Sequence, residues 1–369
     1  MSARPFYVVA HRCNSTDAVK NAIADGANAI ECDIRYYDSP KYFLVSHDKS
    51  VTPEADALIP YLDRMSVVLK AKPAVALVIF DCKDQPENQF LTLLKIVRKH
   101  LTDQVPVNVL FSISSYDDRA FFNPLKGFAM APNEGVGIDE DNDSKRVSEF
   151  FQQLGISQHT YGNGIYAYGI GPNVPHTVMN AVARRAHEGH LKMVYVWTLQ
   201  DADAMRNYMR MGVDGILVNN PATLREVLNE KEFAGNLRLA TRTDRPFITP
   251  PAPAYVLDVK TADVGGGGTD AWLRFAVVGL DEKMLHYIID SCPPGLFESG
   301  DTNSVTLFGD VGAPKKVRVW RDDSGNGPGW YLDRITLTKT KGATPAVGAK
   351  TIIFDQWIPA NEVIVKPVP

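Results

Sequence analysis

Two carboxylates one residue apart, Glu31 and Asp33, interrupt an apolar segment that otherwise has the pattern of a buried strand, Ala29–Ile34. Because side chains alternate along a strand, the two acids share one face and their apolar neighbours share the other. Burying two like charges side by side is costly unless a cation lies between them. The pair therefore predicts a cation site on this strand.

A second apolar strand ends in the same way, with Asp81 and Lys83 on one face. Three carboxylates without a thiolate suit a hard cation such as Mg²⁺. Two histidines complete the set, since His11 and His47 each directly follow a short apolar strand. Imidazole exchanges protons close to neutral pH. These residue types together predict metal-assisted acid–base chemistry on a phosphodiester.

Such residues need a scaffold that brings several strand ends together. Short apolar strands alternate with helical patterns from residue 5 to about residue 230, which predicts an α/β fold of the (β/α)8 TIM-barrel type. The active site of such a barrel lies at the carboxyl ends of its strands, where His11, Glu31, Asp33, Asp81, Lys83, Trp197 and Asn219 all fall. The predicted strands are Tyr7–Ala10, Ala29–Asp33, Val75–Asp81, Val107–Ser112, Gly127–Met130, Gly164–Ala167, Met193–Trp197 and Gly215–Val218.

The chain changes character after the barrel pattern. Residues 248–254 are rich in proline and predict a stiff linker. From residue 255 to 369 the pattern is one of short alternating strands separated by Gly, Asp, Asn and Pro, which predicts an all-β antiparallel sandwich. The predicted domains are therefore a barrel with a closing tail at 1–247, the linker, and the sandwich at 255–369.

Bulk properties exclude several classes of protein. A length of 369 residues suits two domains, and a net charge of −4 argues against a nucleic-acid binder. No apolar stretch is long enough to predict a transmembrane segment. The four cysteines, Cys13, Cys32, Cys82 and Cys292, lack a CxxC spacing and are expected to be packed free thiols. The acidic run that begins at Asp139 has the composition of a solvated loop or of a helix start. No secretory signal is visible at the N-terminus, which predicts either an intracellular protein or a chain that starts after a removed leader.

The order and spacing of these motifs resemble the sphingomyelinase D/phospholipase D toxin family, a metal-dependent relative of the glycerophosphodiesterase barrels. The likeness runs from Val8 to Phe247. The matching blocks are Ala-His11-Arg, Gly-Ala-Asn-Ala-Ile-Glu31-Cys-Asp33, Val-Ile-Phe-Asp81-Cys-Lys83, Val-Tyr195-Val-Trp197-Thr, Gly-Val-Asp-Gly-Ile-Leu-Val-Asn219-Asn-Pro and Ala240-Thr-Arg-Thr-Asp244-Arg-Pro-Phe247.

The resemblance implies roles for individual residues. Glu31, Asp33 and Asp81 match the Mg²⁺ ligands of that family, and His11 and His47 match its catalytic pair. Lys83, Tyr195, Trp197 and Asn219 match positions that line the phosphate and headgroup pocket. Where the toxins carry an Asp three residues after the Trp, this chain has Gln200 followed by Asp201, so the resemblance does not extend to a choline preference.

The C-terminal part resembles a PLAT (lipoxygenase homology) domain in the segments 265–271, 319–334 and 354–358. Such domains bind lipid surfaces or partner proteins, sometimes with Ca²⁺. Oxygen ligands for Ca²⁺ are available at Asp263, Gly268, Asp270, Asp301 and Asn303, although Asp and Asn are also ordinary turn residues.

The resemblances together imply a Mg²⁺-dependent enzyme of the phospholipase D type that acts on sphingomyelin and lysophosphatidylcholine at a membrane surface and is secreted. Attack by the lipid's own hydroxyl gives a cyclic phosphate and the free headgroup alcohol, whereas attack by water gives the hydrolysed lipid phosphate. Which histidine is the acid and which the base stays open. Two alternatives remain, a glycerophosphodiester phosphodiesterase acting on small soluble diesters and a lipid-binding module with an inactive barrel.

Overall fold

The structure is a computed structural model that describes residues 3–38, 41–49, 56–139, 142–164, 174–249, 252–289, 295–340 and 348–369. Its N-terminal part is a barrel of eight parallel strands, and its C-terminal part is a sandwich of two antiparallel sheets. Both predicted fold classes are therefore confirmed. Among the described residues, no helix is both long enough and apolar enough to cross a membrane.

The barrel is formed by β1, β2, β5, β6, β7, β8, β9 and β10, and pairing of β1 with both β10 and β2 closes it. Outside the barrel, β3 pairs antiparallel with β2, and β4 pairs antiparallel with β3. The short strand β11 pairs in parallel with the start of β1. The strands of this part are β1 (Arg4–Ala10), β2 (Ala29–Asp38), β3 (Lys41–Val45), β4 (Asp56–Ala57), β5 (Leu77–Lys83), β6 (Asn108–Ile113), β7 (Glu134–Ile138), β8 (His159–Gly164), β9 (Leu191–Leu199), β10 (Gly215–Val218) and β11 (Leu237–Leu239).

Helices follow most barrel strands and cover their outer faces. A 3₁₀ segment, Tyr116–Leu125, takes the place of the α-helix between β6 and β7, and a π-helical turn, Arg98–Thr102, extends the third helix. The α-helices are α1 (Thr16–Ala24), α2 (Leu58–Ala71), α3 (Phe90–Val97), α4 (Ser144–Gln153), α5 (Val174–Glu188), α6 (Ala202–Met211) and α7 (Pro221–Leu228).

Strand alternation separates the two layers of the barrel. In β2, Ile30, Cys32 and Ile34 pack with the helices in the large outer core. Ala29, which has the same parity as Glu31 and Asp33, packs in the smaller core inside the barrel. The predicted sharing of one face by the two acids is therefore observed, and that face is the barrel interior. Cys13, Cys32 and Cys82 are buried free thiols, as expected, while Cys292 lies outside the described residues.

The closing tail seals the amino-terminal end of the barrel. Asn28 Nδ2 donates to the carbonyl oxygens of Phe6 (3.0 Å) and Ala240 (2.9 Å), so one buried amide ties the first strand to the tail. Phe247 is fully buried inside the barrel, and a Cβ at Gly135 would come within 2.5 Å of its ring. This end is therefore packed solid, which leaves the opposite end for a site.

One predicted barrel strand, Gly127–Met130, is wrong. The strand in question is β7, which begins at Glu134, whereas Gly127 lies in a turn with a positive φ. Its sequence, Glu-Gly-Val-Gly-Ile, lacks the apolar pattern of a buried strand, because two of its residues fit contacts with distant parts of the chain. Glu134 is buried against the guanidinium of Arg98 at 2.6 Å, and Gly135 makes room for Phe247.

The strand predicted at Gly164–Ala167 is displaced in the same way. The observed strand β8 covers His159–Gly164 and ends where the predicted one begins. Residues 165–167 of that prediction lie outside the described residues.

The C-terminal sandwich confirms the predicted antiparallel arrangement. One sheet has the order β15-β12-β17-β18 and the other β14-β13-β16-β19. Trp330 is fully buried between them, with Phe275 and Phe297 packed edge-on against its ring. The strands are β12 (Ala254–Thr261), β13 (Leu273–Val278), β14 (Met284–Ile289), β15 (Thr302–Phe308), β16 (Lys316–Arg321), β17 (Tyr331–Lys339), β18 (Lys350–Trp357) and β19 (Ile364–Pro367).

Phe308, the last residue of β15, joins the sandwich to the barrel. Its ring lies 5.0 Å from the guanidinium carbon of Arg4 and 5.3 Å from that of Arg185, and both arginines form ion pairs with Asp214. A Cβ at Gly212 would clash with the same ring. Because Arg4 begins β1 and Asp214 directly precedes β10, this contact lies at the amino-terminal end of the barrel. The division of the chain at residues 248–254 stays a prediction.

Candidate active site

Three carboxylates converge at the mouth of the barrel. Glu31 and Asp33 come from β2, and Asp81 lies directly opposite Asp33 in the register of β5. Each offers one oxygen, and these oxygens all lie within 4.8 Å of one another. Glu31 is 3% exposed and Asp33 is 1% exposed. Within the described ranges, no other set of three or more His, Cys, Asp and Glu side chains meets this geometry.

Two of the carboxylates are held through one oxygen and leave the other turned toward the shared space. Glu31 Oε2 accepts the backbone N–H of Arg12 at 2.7 Å, while Glu31 Oε1 is buried and has no partner among the described residues. Asp33 Oδ2 accepts from the amide of Asn14 at 2.8 Å, and Asp33 Oδ1 lies 3.6 Å from Lys83 Nζ. A buried carboxylate oxygen without a donor fits a cation ligand.

The electrostatics of the cluster favour a bound cation. Burial raises the pKa of Glu31 well above its ordinary value, and the neighbouring charges of Asp33 and Asp81 raise it further. Lys83 partly offsets this charge through ion pairs with Asp81 and Asp33. Burial acts to lower the pKa of Lys83, but Asp81 and then the other two acids outweigh it and raise that pKa above its ordinary value. The all-oxygen donor set therefore fits a hard divalent cation.

His11 follows β1 at the same mouth. Its Nδ1 lies 2.8 Å from Asn219 Oδ1, at the end of β10. Because an amide oxygen only accepts, this contact places the ring hydrogen on Nδ1 and leaves Nε2 with a lone pair. Burial lowers the pKa of His11, and its hydrogen bond to Asn219 opposes that change. His11 is thus arranged as a neutral base, and Asn219, predicted to line the substrate pocket, orients it.

His47 follows β3 and is held from two sides. Its Nδ1 lies 3.1 Å from Asp48 Oδ1, and its Nε2 lies 2.7 Å from Arg12 Nη2. Since a guanidinium only donates, Nε2 carries the lone pair. The guanidinium of Arg35 donates to the carbonyl oxygen of His47 at 2.7 and 3.0 Å, which fixes the loop. The two predicted catalytic histidines are therefore both oriented through Nδ1, and Nε2 of His47 is occupied by the Arg12 guanidinium.

Tyr195 and Trp197, the remaining predicted pocket residues, differ in their access to the mouth. Tyr195 is fully buried, and its hydroxyl donates to Asp139 Oδ1 at 2.7 Å. Trp197 is partly exposed and packs so closely on Gly164 that a Cβ there would come within 2.2 Å of the indole. Trp197 can therefore contact a ligand directly, whereas Tyr195 supports the wall beneath it. Asp201 caps α6 by accepting from Ala204 N at 2.8 Å.

The loop residues of the sandwich predicted to bind Ca²⁺ do not form a comparable cluster. Asn303 is buried and its Oδ1 accepts the backbone N–H of Phe297 at 2.9 Å, which is a structural role. Asp263 and Asp270 are exposed, and Gly268 and Asp301 are partly exposed. The calcium site stays a prediction.

Sequence reasoning missed three residues of the site. Arg12 and Asn14 lie in the loop after β1 and hold Glu31 and Asp33. Asp139 was expected in a solvated loop or at a helix start, but it is buried against Tyr195. Proximity of Arg12 and Asn14 to His11 in the chain was the available signal. No pattern in the sequence pairs Asp139 with Tyr195, because they are 56 residues apart.

Comparison with known proteins places the chain in a family. The family model for dermonecrotic toxin SPH matches residues 1–247, and the model for the PLAT/LH2 domain matches residues 255–362. The chain belongs to the dermonecrotic toxin SPH family. This confirms both resemblances seen in the sequence. Membership makes the chain a phosphodiester-cleaving enzyme, as the sequence resemblance implies.

Individual relatives are distant but cover the barrel. The chain is 27% identical over 277 residues to a dermonecrotic toxin SPH of Ixodes scapularis, a match that covers 66% of this chain and 76% of the tick protein. It is 26% identical over 278 residues to dermonecrotic toxin StSicTox-betaIB1i of Sicarius terrosus, covering 67% of this chain and 99% of the relative. Among solved structures, a glycerophosphodiester phosphodiesterase from Parabacteroides distasonis has a TM-score of 0.47 and 18% identity over 63% of this chain and 100% of that protein.

Proposed function

We propose that this protein cleaves sphingo- and lysophospholipids such as sphingomyelin and lysophosphatidylcholine in a Mg²⁺-dependent reaction of the phospholipase D type, releasing the headgroup alcohol. The observation that carries the proposal is the buried Glu31, Asp33 and Asp81 cluster beside two oriented histidines. A divalent cation bound by the three carboxylates would stabilise negative charge on the phosphate.

Side chains of the barrel would supply the remaining phosphate contact and the two proton transfers. Lys83 supplies a second positive charge beside the carboxylates and would contact the phosphate once these are neutralised. His11 would accept the proton of the attacking hydroxyl at Nε2, since burial keeps its imidazole neutral. For His47 to protonate the leaving alcohol, the Arg12 guanidinium would have to move away from Nε2 and the ring would have to be in its imidazolium form, which carries a proton on that nitrogen. Attack by the lipid's own hydroxyl would yield a cyclic phosphate.

A direct assay separates this reaction from that of a soluble diesterase. The protein is incubated in turn with sphingomyelin, lysophosphatidylcholine and glycerophosphocholine, and products are followed by phosphorus NMR. A cyclic phosphate from a long-chain lipid is expected, with loss of turnover in EDTA and recovery on adding Mg²⁺. Turnover of glycerophosphocholine alone would refute the lipid assignment, and full activity in EDTA would refute the metal requirement.

The sandwich would dock the enzyme on a lipid surface. Val264 and Trp272, which lie in loops, and Trp357, the last residue of β18, are exposed apolar side chains at one end of the sandwich. The loop that carries Val264 touches the start of β17, since Tyr331 N donates to Gly267 O at 3.0 Å, and Tyr331 in turn pairs with Trp357. Phe308, which contacts the barrel, lies at the opposite end, because β15 runs antiparallel to β12. The apolar end is therefore free to enter a membrane interface.

Docking is tested by sedimentation with phosphatidylcholine vesicles. The Trp272→Ala/Trp357→Ala double variant is expected to bind vesicles about tenfold more weakly, since each indole loses an interfacial contact. Ile353→Ala, an equally exposed residue on the face of β18, is the matched control. Equal binding of the double variant and the parent protein would refute docking through this end. Because the curated relatives are named as toxins, we also propose that the protein is secreted.

A further inference from the structure

The loop between β1 and α1 touches both acids of β2, and the groups that it offers to them, backbone N–H groups and the amide of Asn14, are uncharged. Arg12 N donates to Glu31 Oε2 at 2.7 Å, and Cys13 N donates to Glu31 O at 2.7 Å. Arg12 adopts a left-handed conformation, with φ 52°, which is uncommon for a residue with a side chain. Such local strain persists where surrounding contacts enforce it. The loop is therefore fixed against the acidic strand.

Asn14 makes the most specific of these contacts. Its Nδ2 donates to Asp33 Oδ2 at 2.8 Å, and its Oδ1 accepts the backbone N–H of Asp33 at 2.9 Å. Two hydrogen bonds to one residue fix both the position and the rotation of the Asp33 carboxylate. Only Asp33 Oδ1 is then left facing Lys83 and the other acids.

We propose that Asn14 is a positioning residue for cation binding, which holds the Asp33 carboxylate so that its second oxygen points into the metal cavity. Asn14 touches neither the cation nor the substrate; it acts through Asp33. The inference rests on the proposed metal site and extends it to a residue outside the three ligands. A partner that orients a metal ligand typically contributes about 10–100-fold to metal affinity.

The choice of amide is chemically specific. A carboxylate at position 14 would accept from Asp33 N but would repel Asp33 Oδ2, and an apolar residue would make neither bond. Without Asn14, Asp33 is free to rotate toward Lys83 and close the cavity with its own ion pair. The loss is expected in metal affinity first and in turnover only as a consequence.

Calorimetric titration of the full-length protein with Mg²⁺ alone, and with Mn²⁺ alone, tests this. Asn14→Ala and Asn14→Leu are each expected to raise the Kd for both ions by about 10–100-fold. Ser15→Ala is the matched control, because the neighbouring Ser15 caps α1 through Ala18 N and touches no carboxylate. Its Kd is expected to stay within about twofold of the parent value while its melting temperature falls. Activity of the Asn14 variants should recover at high Mg²⁺.

Two outcomes would overturn the inference: Asn14 variants that bind both ions as tightly as the parent protein, or a Ser15→Ala variant that loses the same affinity. If Asn14→Ala and Asn14→Leu fail to fold, Asn14→Gln keeps the amide but displaces it by one methylene, and an unchanged Kd in that variant refutes the positioning role. A parent protein that binds neither ion refutes the proposed metal site itself, which is a separate result.

Discussion

Two regions of this molecule offer acidic side chains to a cation, and they differ in how the fold treats them. At the barrel mouth, Glu31, Asp33 and Asp81 are brought to within 4.8 Å and the first two are almost fully buried. At the loop end of the sandwich, Asp263 and Asp270 are exposed. The composition of the two sets is similar, so composition alone does not identify a site.

The difference follows from the backbone that carries each set. Parallel strands in a closed barrel end at one mouth, so acids of equal parity on neighbouring strands must converge. Loops between antiparallel strands impose no such alignment, and Asp or Asn there commonly stabilises a turn. Asp322 is an example, since its carboxylate accepts from Trp272 N and Ser324 N. Convergence, rather than charge, is therefore the feature that distinguishes the barrel site.

The largest effect is expected from Glu31→Gln. Removal of this ligand should lower Mg²⁺-dependent turnover by about 10³-fold or more, because the cation loses a buried oxygen. In metal-free buffer the same variant should unfold at a higher temperature than the parent protein, since a buried like-charge interaction is removed. Turnover is measured at saturating Mg²⁺, and unfolding by calorimetry in EDTA.

Asp270→Asn is the matched control for Glu31→Gln. It changes one acid of the sandwich to its amide. We expect unchanged turnover and a metal-free free energy of unfolding within about 0.5 kcal/mol of the parent value. Similar losses of turnover in the two variants would mean that convergence does not distinguish the regions.

Within the sandwich, two tryptophans provide the same contrast between buried and exposed residues. Trp330 is fully buried and its Nε1 donates to Thr261 Oγ1 at 3.1 Å, whereas Trp357 is 50% exposed. Trp330→Ala should therefore reduce the free energy of unfolding by about 3–5 kcal/mol, and Trp357→Ala by less than about 1 kcal/mol. Urea denaturation followed by circular dichroism measures both, and equal losses would contradict the assigned burial.

A strand could be predicted from the sequence where a local pattern determines its residues, but not where contacts with distant parts of the chain determine them. The strand Gly215–Val218 is predicted with its observed bounds, because a short apolar run between turn residues is too short for a helix. β7 was missed because its residues fit partners that are distant in the chain. Gly135 leaves room for the ring of Phe247, and Glu134 forms an ion pair with Arg98.

The same distinction applies to the site. Strand parity gave the shared face of Glu31 and Asp33, and family resemblance supplied the roles of the histidines. The partners of these residues were not readable, since Asn14 and Asn219 carry no charge and lie on different strand ends from the groups they orient. Hydrogen-bonding geometry, unlike hydrophobic alternation, leaves no period in a sequence.

At the junction of the two regions, Phe308→Ala should reduce the free energy of unfolding by about 2 kcal/mol, since its ring covers Arg4 and Arg185. Turnover at saturating Mg²⁺ should be unchanged, because this contact lies at the end of the barrel away from the acids. Calorimetry and the phosphorus NMR assay measure the two quantities. A loss of turnover without a loss of stability would show that the junction is coupled to the mouth.

The smallest effect expected is a decline of stability with rising pH that arises from Glu31. In the folded, metal-free protein the pKa of Glu31 lies above its ordinary value of 4.5, mainly because of burial. The folded state therefore binds more protons than the unfolded state above that pH. The contribution of Glu31 to stability is complete below about pH 4.5 and declines as pH rises through the folded pKa.

Urea unfolding in EDTA should show this decline in the parent protein and in Asp270→Asn, but a weaker one in Glu31→Gln. Saturating Mg²⁺ should also weaken it, because the cation stabilises the ionised carboxylate. A decline of the same slope in Glu31→Gln would assign it to groups other than Glu31.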